Sequence, residues 1–217
     1  MKIGVMGTGM VGLALATKLV GLGHQVMMGA RERDNEKASV WAEAQNGQTG
    51  SFADVAQFSD IVFFATLGSA TLDVAKAAGP EALAEKVVVD VTNPLDMSAG
   101  FPPPLLPGLS NTTSLGEALQ SALPKSRVVK ALNTMNCELM VDPSRVPGRH
   151  DVFLCGEDAD AKSQVIDLLT SFGWEAPIDM GGIDAARGLE GLMLFWLKMY
   201  AAVGHLNFNY HVVMADA

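Results

Sequence analysis

Short apolar runs alternate along this chain with longer segments in which apolar residues recur at helical spacing. Glycine, asparagine, aspartate and proline bound most of the runs, as is usual for strands and turns. The pattern predicts strands within residues 1–6 and at 25–29, 49–52, 60–65, 86–90, 127–132, 152–156 and 174–178. It predicts helices at residues 13–22, 35–46, 53–58, 70–78, 115–123, 159–172 and 185–205. This alternation is typical of an α/β fold with a mostly parallel sheet of about eight strands.

The last predicted helix, residues 185–205, is rich in Leu, Met, Phe and Trp nearly all round. An apolar surface of that width needs cover on more than one side. We expect a single domain over residues 1–217, in which residues 179–217 form a C-terminal helical extension packed on the sheet. We also expect the helix to contact a second subunit, which makes the chain a homodimer.

The first strand runs directly into Gly7-Thr8-Gly9-Met10-Val11-Gly12, and a helix follows. In a doubly wound sheet of the Rossmann type, Gly7 allows the tight turn, Gly9 lets the backbone approach a pyrophosphate, and Gly12 lets helix and strand pack closely. The helix N-terminus offers free N–H groups to the phosphates. An ordinary glycine-rich turn is the alternative, but the position between strand and helix favours a dinucleotide site.

The end of the second strand indicates which dinucleotide binds. An NAD site places Asp or Glu about 20 residues beyond the glycines, where this chain has Ala30. Three cations follow, Arg31, Arg33 and Lys37, and such groups accommodate a 2′-phosphate. The sequence therefore predicts NADP(H). The alternatives are a solvated loop of mixed charge, or a shifted register in which Glu32 meets a ribose hydroxyl.

Loops at the carboxyl ends of later strands should lie beside the bound cofactor, because ligands of open parallel sheets bind at that edge. Thr66 and Leu67 follow the fourth strand, Asn93 and Pro94 follow the fifth, and Asn133 follows the sixth. Asn93 could direct its amide to the nicotinamide or its ribose. A plain Asn-Pro turn is the competing interpretation.

A proline-rich loop covers residues 95–110. A stiff loop of this length is often the lid or wall of a pocket, although a surface crossover is also possible. Ser114 and Glu117 that follow it form a Ser-x-x-Glu pattern, which predicts a capping box for the next helix.

The composition of the chain argues against several classes of binding partner. With a net charge of -9 and no basic run, the chain lacks the features of a nucleic-acid or anionic-membrane binder. Two cysteines, Cys137 and Cys155, are too few for a disulfide framework or a four-ligand zinc site. The apolar stretch 189–206 contains Glu190, Lys198 and His205, so it suits a helix buried in protein rather than lipid. With no charged leader, we expect a cytoplasmic protein.

Several motifs together resemble the NADPH-dependent oxidoreductases of the deazaflavin coenzyme F420. They are Gly7-Thr8-Gly9 with Arg31, Val-Asp-Val-Thr-Asn-Pro-Leu at 89–95, the segment 114–117, Val-Val-Lys-Ala-Leu-Asn-Thr at 128–134, and the segment 179–190. The match spans nearly the whole chain. The reductase domains of six-transmembrane metalloreductases, which use a flavin, are similar in the same motifs.

The resemblance implies a role for each matching residue. Thr8, Gly9, Met10 and Val11 would hold the pyrophosphate. Ala30, Arg31 and Lys37 would surround the 2′-phosphate, and Leu67, Asn93 and Ala131 would lie on the nicotinamide side. Two positions depart from the family pattern. Ala30 stands where a serine is common, which removes a hydroxyl contact to the phosphate, and Leu132 stands where an aromatic residue is usual, beside the acceptor pocket.

The leading hypothesis is hydride transfer between NADP(H) and a deazaflavin or flavin ring, which needs no side-chain acid or base and no metal. The candidate loops contain no Ser-His or His-Asp set and no metal-ligand spacing. One alternative is an NADPH-dependent reductase of a small carbonyl, imine or ferric substrate; a carbonyl or imine would need a proton donor such as Tyr200 or His205. Another is a non-catalytic module that senses NADP(H).

Overall fold

The computed structural model describes residues 1–215. They form an eight-stranded sheet in the order β3-β2-β1-β4-β5-β6-β7-β8. The strands are β1 Lys2–Met6, β2 Gln25–Ala30, β3 Gln48–Ser51, β4 Ile61–Phe64, β5 Val87–Asp90, β6 Arg127–Ala131, β7 Phe153–Gly156 and β8 Ile178–Asp179. All neighbouring pairs are parallel except β6 and β7. The predicted Rossmann-type, mostly parallel sheet is confirmed.

Eight α-helices connect and follow these strands. They are α1 Met10–Gly21, α2 Glu36–Gln45, α3 Phe52–Phe58, α4 Thr71–Ala78, α5 Leu115–Ala122, α6 Cys137–Val141, α7 Ala159–Phe172 and α8 Ala186–Val203. Short 3-10 helices lie at Gly68–Ala70, Met97–Ala99, Pro143–Arg145 and Ile183–Ala185. No helix within the described residues is long and apolar enough to cross a membrane.

Apolar side chains on the two faces of the sheet form two buried clusters. Alternate residues of each strand point to opposite faces, so Val5 belongs to one cluster and Met6 to the other. Helices α1 and α7 cover the first face, while α3, α4, α5 and the start of α8 cover the second. Leu189 of α8 lies in the second cluster, so the predicted contact of this helix with the core is present.

Helix starts differ from prediction where glycine or asparagine is the cap. Helix α1 begins at Met10 rather than residue 13, because Gly9 is its N-cap and the glycine turn is already the helix start. The cap of α2 is Asn35 and not Asp34, since the Asn35 side chain accepts the N–H of Ala38. At α5, Ser114 caps as predicted, but the Glu117 carboxylate bonds the Ser114 hydroxyl and Arg187.

Two elements after β6 were predicted wrongly. Helix α6 was missed because five residues give too short a pattern to recognise. The eighth strand is Ile178–Asp179 instead of 174–178. Trp174 leaves the strand because its ring fills the core and its Nε1 donates to the Met140 carbonyl at 3.0 Å.

Candidate functional site

A groove of about 1550 Å³ opens at the carboxyl ends of the β1, β2 and β4 strands. Ligand pockets for small molecules measure roughly 300–1,000 Å³, so this one suits a larger, extended ligand such as a dinucleotide. Ten of the residues predicted to bind the cofactor line it together: Gly7, Thr8, Gly9, Met10, Val11, Ala30, Arg31, Lys37, Thr66 and Leu67.

The glycine turn has three positions with three different constraints. Gly7 has a φ of +128°, and a Cβ there would lie 2.4 Å from the Ala65 carbonyl oxygen. At Gly12 a Cβ would lie 2.0 Å from the Gly7 carbonyl oxygen, so helix and turn could not pack. Both glycines are therefore required by the fold itself.

Gly9 differs, because a Cβ built there meets nothing within 4 Å. It is the N-cap of α1 and provides no side-chain cap, so the first N–H groups of the helix are free to bind an anion. The fold does not require glycine at this position. Close approach of a pyrophosphate would require a glycine there, so the glycine turn fits the diphosphate of NADP.

The end of β2 brings two cations to the groove. Arg31 and Lys37 line it and, in the part of the chain that the structure describes, neither forms an ion pair. Ala30, the last residue of β2, is buried and also lines the groove. Glu32, the acid that could have met a ribose hydroxyl, is not part of the groove lining. This charge pattern suits a 2′-phosphate.

Arg33 is the predicted cation that the structure places elsewhere. Its guanidinium pairs with Asp54 Oδ1 at 2.6 Å, outside the groove lining. Asp54 also accepts the N–H and hydroxyl of Ser51. These Ser51 hydrogen bonds, together with the smaller contribution of Arg33, hold the pKa of Asp54 below its ordinary value. Arg33 thus fastens the loop to α3.

Sequence reasoning missed the helical walls of the groove. Beside the predicted Lys37, residues on one face of α2 and one face of α4 complete the lining, among them Val40, Trp41 and Ala44 on α2 and Asp73, Val74 and Ala77 on α4. Their three-to-four spacing is the signal that could have identified them. The Trp41 Nε1 donates to Thr17 Oγ1 at 3.1 Å, which ties α2 to α1.

The loop after β4 provides one further polar group. Thr66 lines the groove, and its Oγ1 is buried with no hydrogen-bond partner within the described part of the chain. A buried hydroxyl without a partner is costly, so an occupied groove is expected to supply one. Leu67 beside it is 65% exposed and presents an apolar surface at the groove mouth.

Leu67 is the predicted nicotinamide-side residue that lines the groove, whereas Asn93, Pro94, Ala131 and Asn133 lie outside its lining. The structure nevertheless brings Asn93, Pro94 and Asn133 together. Asn93 Nδ2 donates to the Asn133 carbonyl at 2.8 Å, and Asn133 Nδ2 returns a bond to Asn93 Oδ1 at 2.9 Å. Pro94 follows Asn93 directly. Of these residues, Asn93 is part-exposed, while Asn133 is fully buried and its Oδ1 has no hydrogen-bond partner among residues 1–215.

Ala131 is fully buried: it pairs with Leu154 of β7, and its side chain belongs to the apolar cluster on the first face of the sheet. Its side chain therefore lies below the surface of the site. Leu132, the departure from the family pattern, is also in the core and has a φ of +63°. A positive φ is uncommon for a leucine, and it marks a sharp turn of the backbone just before Asn133.

Next to this asparagine pair, aromatic side chains of α8 and the chain after it stack together. The Trp196 ring lies 5.9 Å from the Tyr200 ring and 5.3 Å from that of Phe208. Phe101 of the proline-rich loop contacts Tyr200 edge-on at 6.1 Å, and Leu95 packs on the same cluster. We call these five residues the aromatic wall.

The histidines and cysteines offer no catalytic arrangement in the groove. His24 precedes β2 at the opposite edge of the sheet, and His211 contacts Asp151 at 3.0 Å beside β7. His150 Nε2 lies near the carbonyls of Pro143 and Val146. Burial raises the pKa of Cys155 to about 12, so that thiol stays protonated. Within residues 1–215 no cluster of metal-ligating side chains occurs.

Comparisons with known proteins agree with this geometry. The family model of coenzyme F420-dependent NADP oxidoreductases matches residues 2–94. An F420-dependent NADP reductase of Methanocaldococcus jannaschii is 30% identical over 202 residues, which are 88% of this chain and 89% of that protein. The metalloreductase STEAP3 of Rattus norvegicus is 29% identical over 193 residues, 89% of this chain but 36% of that protein. The chain thus spans about a third of that metalloreductase.

Solved structures with a similar fold also include reductases. A protein of Arthrobacter sp. FB24, described as a candidate F420-dependent NADP reductase, has a TM-score of 0.94 at 44% identity and covers 99% of this chain and 100% of its own. A reductive aminase of Aspergillus terreus in complex with NADPH has a TM-score of 0.65 at 19% identity, covering 94% of this chain and 62% of its own. The second likeness is one of fold alone.

Proposed function

The chain belongs to the family of coenzyme F420-dependent NADP oxidoreductases, and from that membership we propose that it transfers a hydride between NADP(H) and the deazaflavin ring of coenzyme F420. It is an NADP-dependent oxidoreductase, as the motifs predicted. The acceptor, the binding residues and the assembly are our proposal.

The choice of dinucleotide rests on one observation. Arg31 and Lys37 line the groove without an ion-pair partner among residues 1–215, and β2 ends at Ala30 rather than at an acid. An unpaired cation beside a ribose favours a phosphate there over a free hydroxyl. We assign the pyrophosphate to Gly7 through Val11, the 2′-phosphate to Arg31 and Lys37, and the adjoining ribose to the surface above Ala30.

Hydride transfer in this site needs orientation more than acid–base chemistry. When bound, NADPH supplies the hydride and F420 takes it up with one proton from solvent, giving NADP⁺ and the reduced deazaflavin. The chain would hold the two rings in contact and exclude water from between them. Thr66 and Leu67 would contact the dinucleotide from β4, and Asn93 would present its part-exposed side chain to the nicotinamide end.

The acceptor seat is proposed beside Asn93, against the aromatic wall. A flat conjugated ring stacks well on aromatic side chains. Phe101 is 65% exposed at the edge of this wall, so the proline-rich loop would form one side of the seat. A flavin ring has a similar flat tricyclic shape and is the second acceptor to test, since a metalloreductase is among the relatives of this chain.

A homodimer is also part of the proposal. Leu194 and Phe195 on α8 are 40% and 53% exposed, and Val203 at its end is 40% exposed. This apolar stripe would be covered by a second copy. Light scattering of the purified chain tests it; a monomer at micromolar concentration would contradict the dimer and leave the hydride-transfer proposal intact.

The direct test is turnover with a panel of acceptors. Purified protein would be mixed with NADPH or NADH and, separately, with F420, FAD, FMN, ferric citrate and a small cyclic imine. We expect oxidation of NADPH with F420 to exceed every other combination. Binding of NADPH without turnover of any acceptor would support a sensor, and turnover of the imine alone would support the small-substrate reductase.

A further inference from the structure

Lys130 is fully buried near the carboxyl end of β6, and three oxygens surround its ammonium group. Its Nζ lies 2.9 Å from Asp90 Oδ2, 2.7 Å from Glu190 Oε1 and 2.6 Å from the Thr92 carbonyl oxygen. Asp90 ends β5 and Glu190 belongs to α8, and both are at most 1% exposed. One buried cation thus joins two strands and the C-terminal helix.

The charges of this unit are satisfied on every side. Glu190 accepts the N–H groups of Leu115 and Gly116, at the N-terminus of α5, at 2.8 and 2.9 Å. Burial lowers the pKa of Lys130, but the two carboxylates outweigh it and the pKa lies above its ordinary value. Lys130 is therefore an ammonium ion inside the protein, and the positive end of α5 balances the second carboxylate.

The unit also fixes the loop that leads out of β5. Asp90 Oδ1 accepts both the N–H of Thr92 at 2.9 Å and its hydroxyl at 2.6 Å, while Lys130 binds the carbonyl of the same residue. Thr92 is thereby held at its N–H, its hydroxyl and its carbonyl. Asn93 is the next residue, so these bonds to Thr92 also fix the orientation of Asn93.

The other end of the unit positions the aromatic wall. Glu190 and Trp196 lie on the same helix, α8, and the Leu189 carbonyl accepts from Asn133 Nδ2 at 3.0 Å. Asn133 in turn bonds Asn93. A continuous set of bonds therefore connects the loop before the nicotinamide end with the helix that carries the wall.

We propose that Lys130, with Asp90, Thr92 and Glu190, is a positioning unit that sets the distance between the nicotinamide ring held near Asn93 and the acceptor ring held on the aromatic wall. The inference rests on the proposed function for the identity of the two rings. None of the four residues touches either ring; they act through Asn93 and through α8. A purely structural unit would affect stability and leave ring geometry unchanged.

Thr92→Val removes one hydroxyl bond and keeps the side-chain volume. We expect single-turnover hydride transfer from NADPH to F420 to slow by about tenfold or more, because small displacements of reacting rings have large effects on rate. The Kd of NADPH should change less than about twofold, since the groove and its phosphate contacts are untouched. Thr92→Ser restores the hydroxyl and should recover most of the rate.

Ser126→Ala is the matched control. Its hydroxyl is also buried and donates to the Leu83 carbonyl at 2.8 Å, but at the opposite edge of the sheet. We expect it to lower the Tm like Thr92→Val and to leave hydride transfer unchanged. If both variants slow transfer equally, or if Thr92→Val lowers only the Tm, the unit is structural and the inference is wrong.

A second readout does not depend on F420. The fluorescence of NADPH increases when its nicotinamide ring is held rigidly away from water, and it can be followed in the binary complex. We expect Thr92→Val to lose much of this increase at saturation and Thr92→Ser to keep it. Unchanged fluorescence in Thr92→Val would overturn the inference. Absence of F420 turnover in the unaltered protein would instead overturn the proposed function.

If Thr92→Val does not fold, Glu190→Gln provides the same test from the α8 side. It keeps the side-chain shape and one acceptor oxygen but removes the charge opposite Lys130. We expect the same pattern, a slower transfer and weaker NADPH fluorescence at unchanged Kd. Normal transfer in a folded Glu190→Gln protein would count against the inference.

Discussion

The half of the sheet formed by β1 to β4 and the half formed by β5 to β8 build their parts of the site in different ways. In the first half, each part of the groove is a short segment at the end of one strand: the glycine turn, the end of β2 and the loop after β4. In the second half, the key contacts join residues far apart, such as Lys130 with Asp90 at a separation of 40 residues and Leu115 with Glu190 at 75. Local chemistry defines the first half, and tertiary packing defines the second.

The largest effect is expected from Gly12→Val in the local half. A Cβ at Gly12 would lie 2.0 Å from the Gly7 carbonyl oxygen, which the backbone cannot relieve without moving α1 from β1. We expect loss of NADPH binding and of cooperative thermal unfolding, measured by titration and circular dichroism. Gly9→Ala is the control, because it meets no atom within 4 Å; it should keep the Tm and still weaken NADPH binding. Tight binding by Gly9→Ala would show that no phosphate approaches there.

The largest effect in the second half is expected from Glu190→Ala. The substitution removes one of the two carboxylates that face Lys130 and the acceptor of the Leu115 and Gly116 N–H groups. Breaking a buried ion pair in this way costs about 3–5 kcal/mol. Urea unfolding measures this loss. Gln120→Ala, whose amide bonds the carbonyls of Leu123 and Ser126 beside the same helix, should cost less than Glu190→Ala. Equal costs would mean that the ion pairs add nothing beyond ordinary hydrogen bonds.

Arg31→Ala should separate NADPH from NADH. Arg31 lines the groove without an ion-pair partner in the described residues, so its loss should remove the proposed charge-assisted bond to the 2′-phosphate, worth about 1–3 kcal/mol. Calorimetric titration with both nucleotides measures the difference. If NADH weakens as much as NADPH, Arg31 does not contact the phosphate.

Arg33→Ala should have the smallest effect. Its partner Asp54 is near the surface, and exposed ion pairs contribute only about 0–1 kcal/mol. We expect NADPH binding within about twofold of the unaltered protein. A loss of NADPH affinity as large as that of Arg31→Ala would mean that Arg33 contacts the phosphate, which would contradict the observed pairing with Asp54.

The pKa of Asp54 gives this pair a pH dependence. Hydrogen bonds from Ser51 and the charge of Arg33 lower that pKa in the folded protein. Asp54 therefore stabilises the fold at pH values above the pKa that this carboxyl has in the unfolded chain. The contribution disappears as the pH falls through the folded pKa. Acid unfolding of Asp54→Asn should therefore show a weaker dependence on pH than that of the unaltered chain.

Prediction from sequence works best where one residue type has one physical reason to be present. The alternation of strands and helices is confirmed. Gly7 and Gly9 after β1 line one groove with Arg31 and Lys37, and the role of these residues in binding stays a prediction. Prediction failed for Arg33, because a cation in a loop carries no sign of its partner 21 residues away. It also failed for α6 and for Trp174, whose positions are decided by packing that local periodicity does not reveal.

On the nicotinamide side, even less of the tertiary packing could be predicted from the sequence. Asn93 and Asn133 were identified from their strand ends, but nothing in the sequence indicates that they bond each other or that Ala131 is buried beneath them. The Lys130 unit is hidden for the same reason, since a lysine, an aspartate and a glutamate in three distant segments are ordinary surface residues until the fold joins them. The composition of the aromatic wall likewise depends on a loop and a helix that meet only in three dimensions.

The central claim is that the hydride passes directly from the nicotinamide to a deazaflavin. The most direct measurement uses NADPH carrying deuterium at the transferred position of its C4 atom, with F420 as acceptor, and mass analysis of both products. Direct transfer predicts deuterium on the reduced F420 and none left on the NADP⁺. Reduced F420 without deuterium, or deuterated NADPH recovered intact beside unreduced F420, would contradict the account.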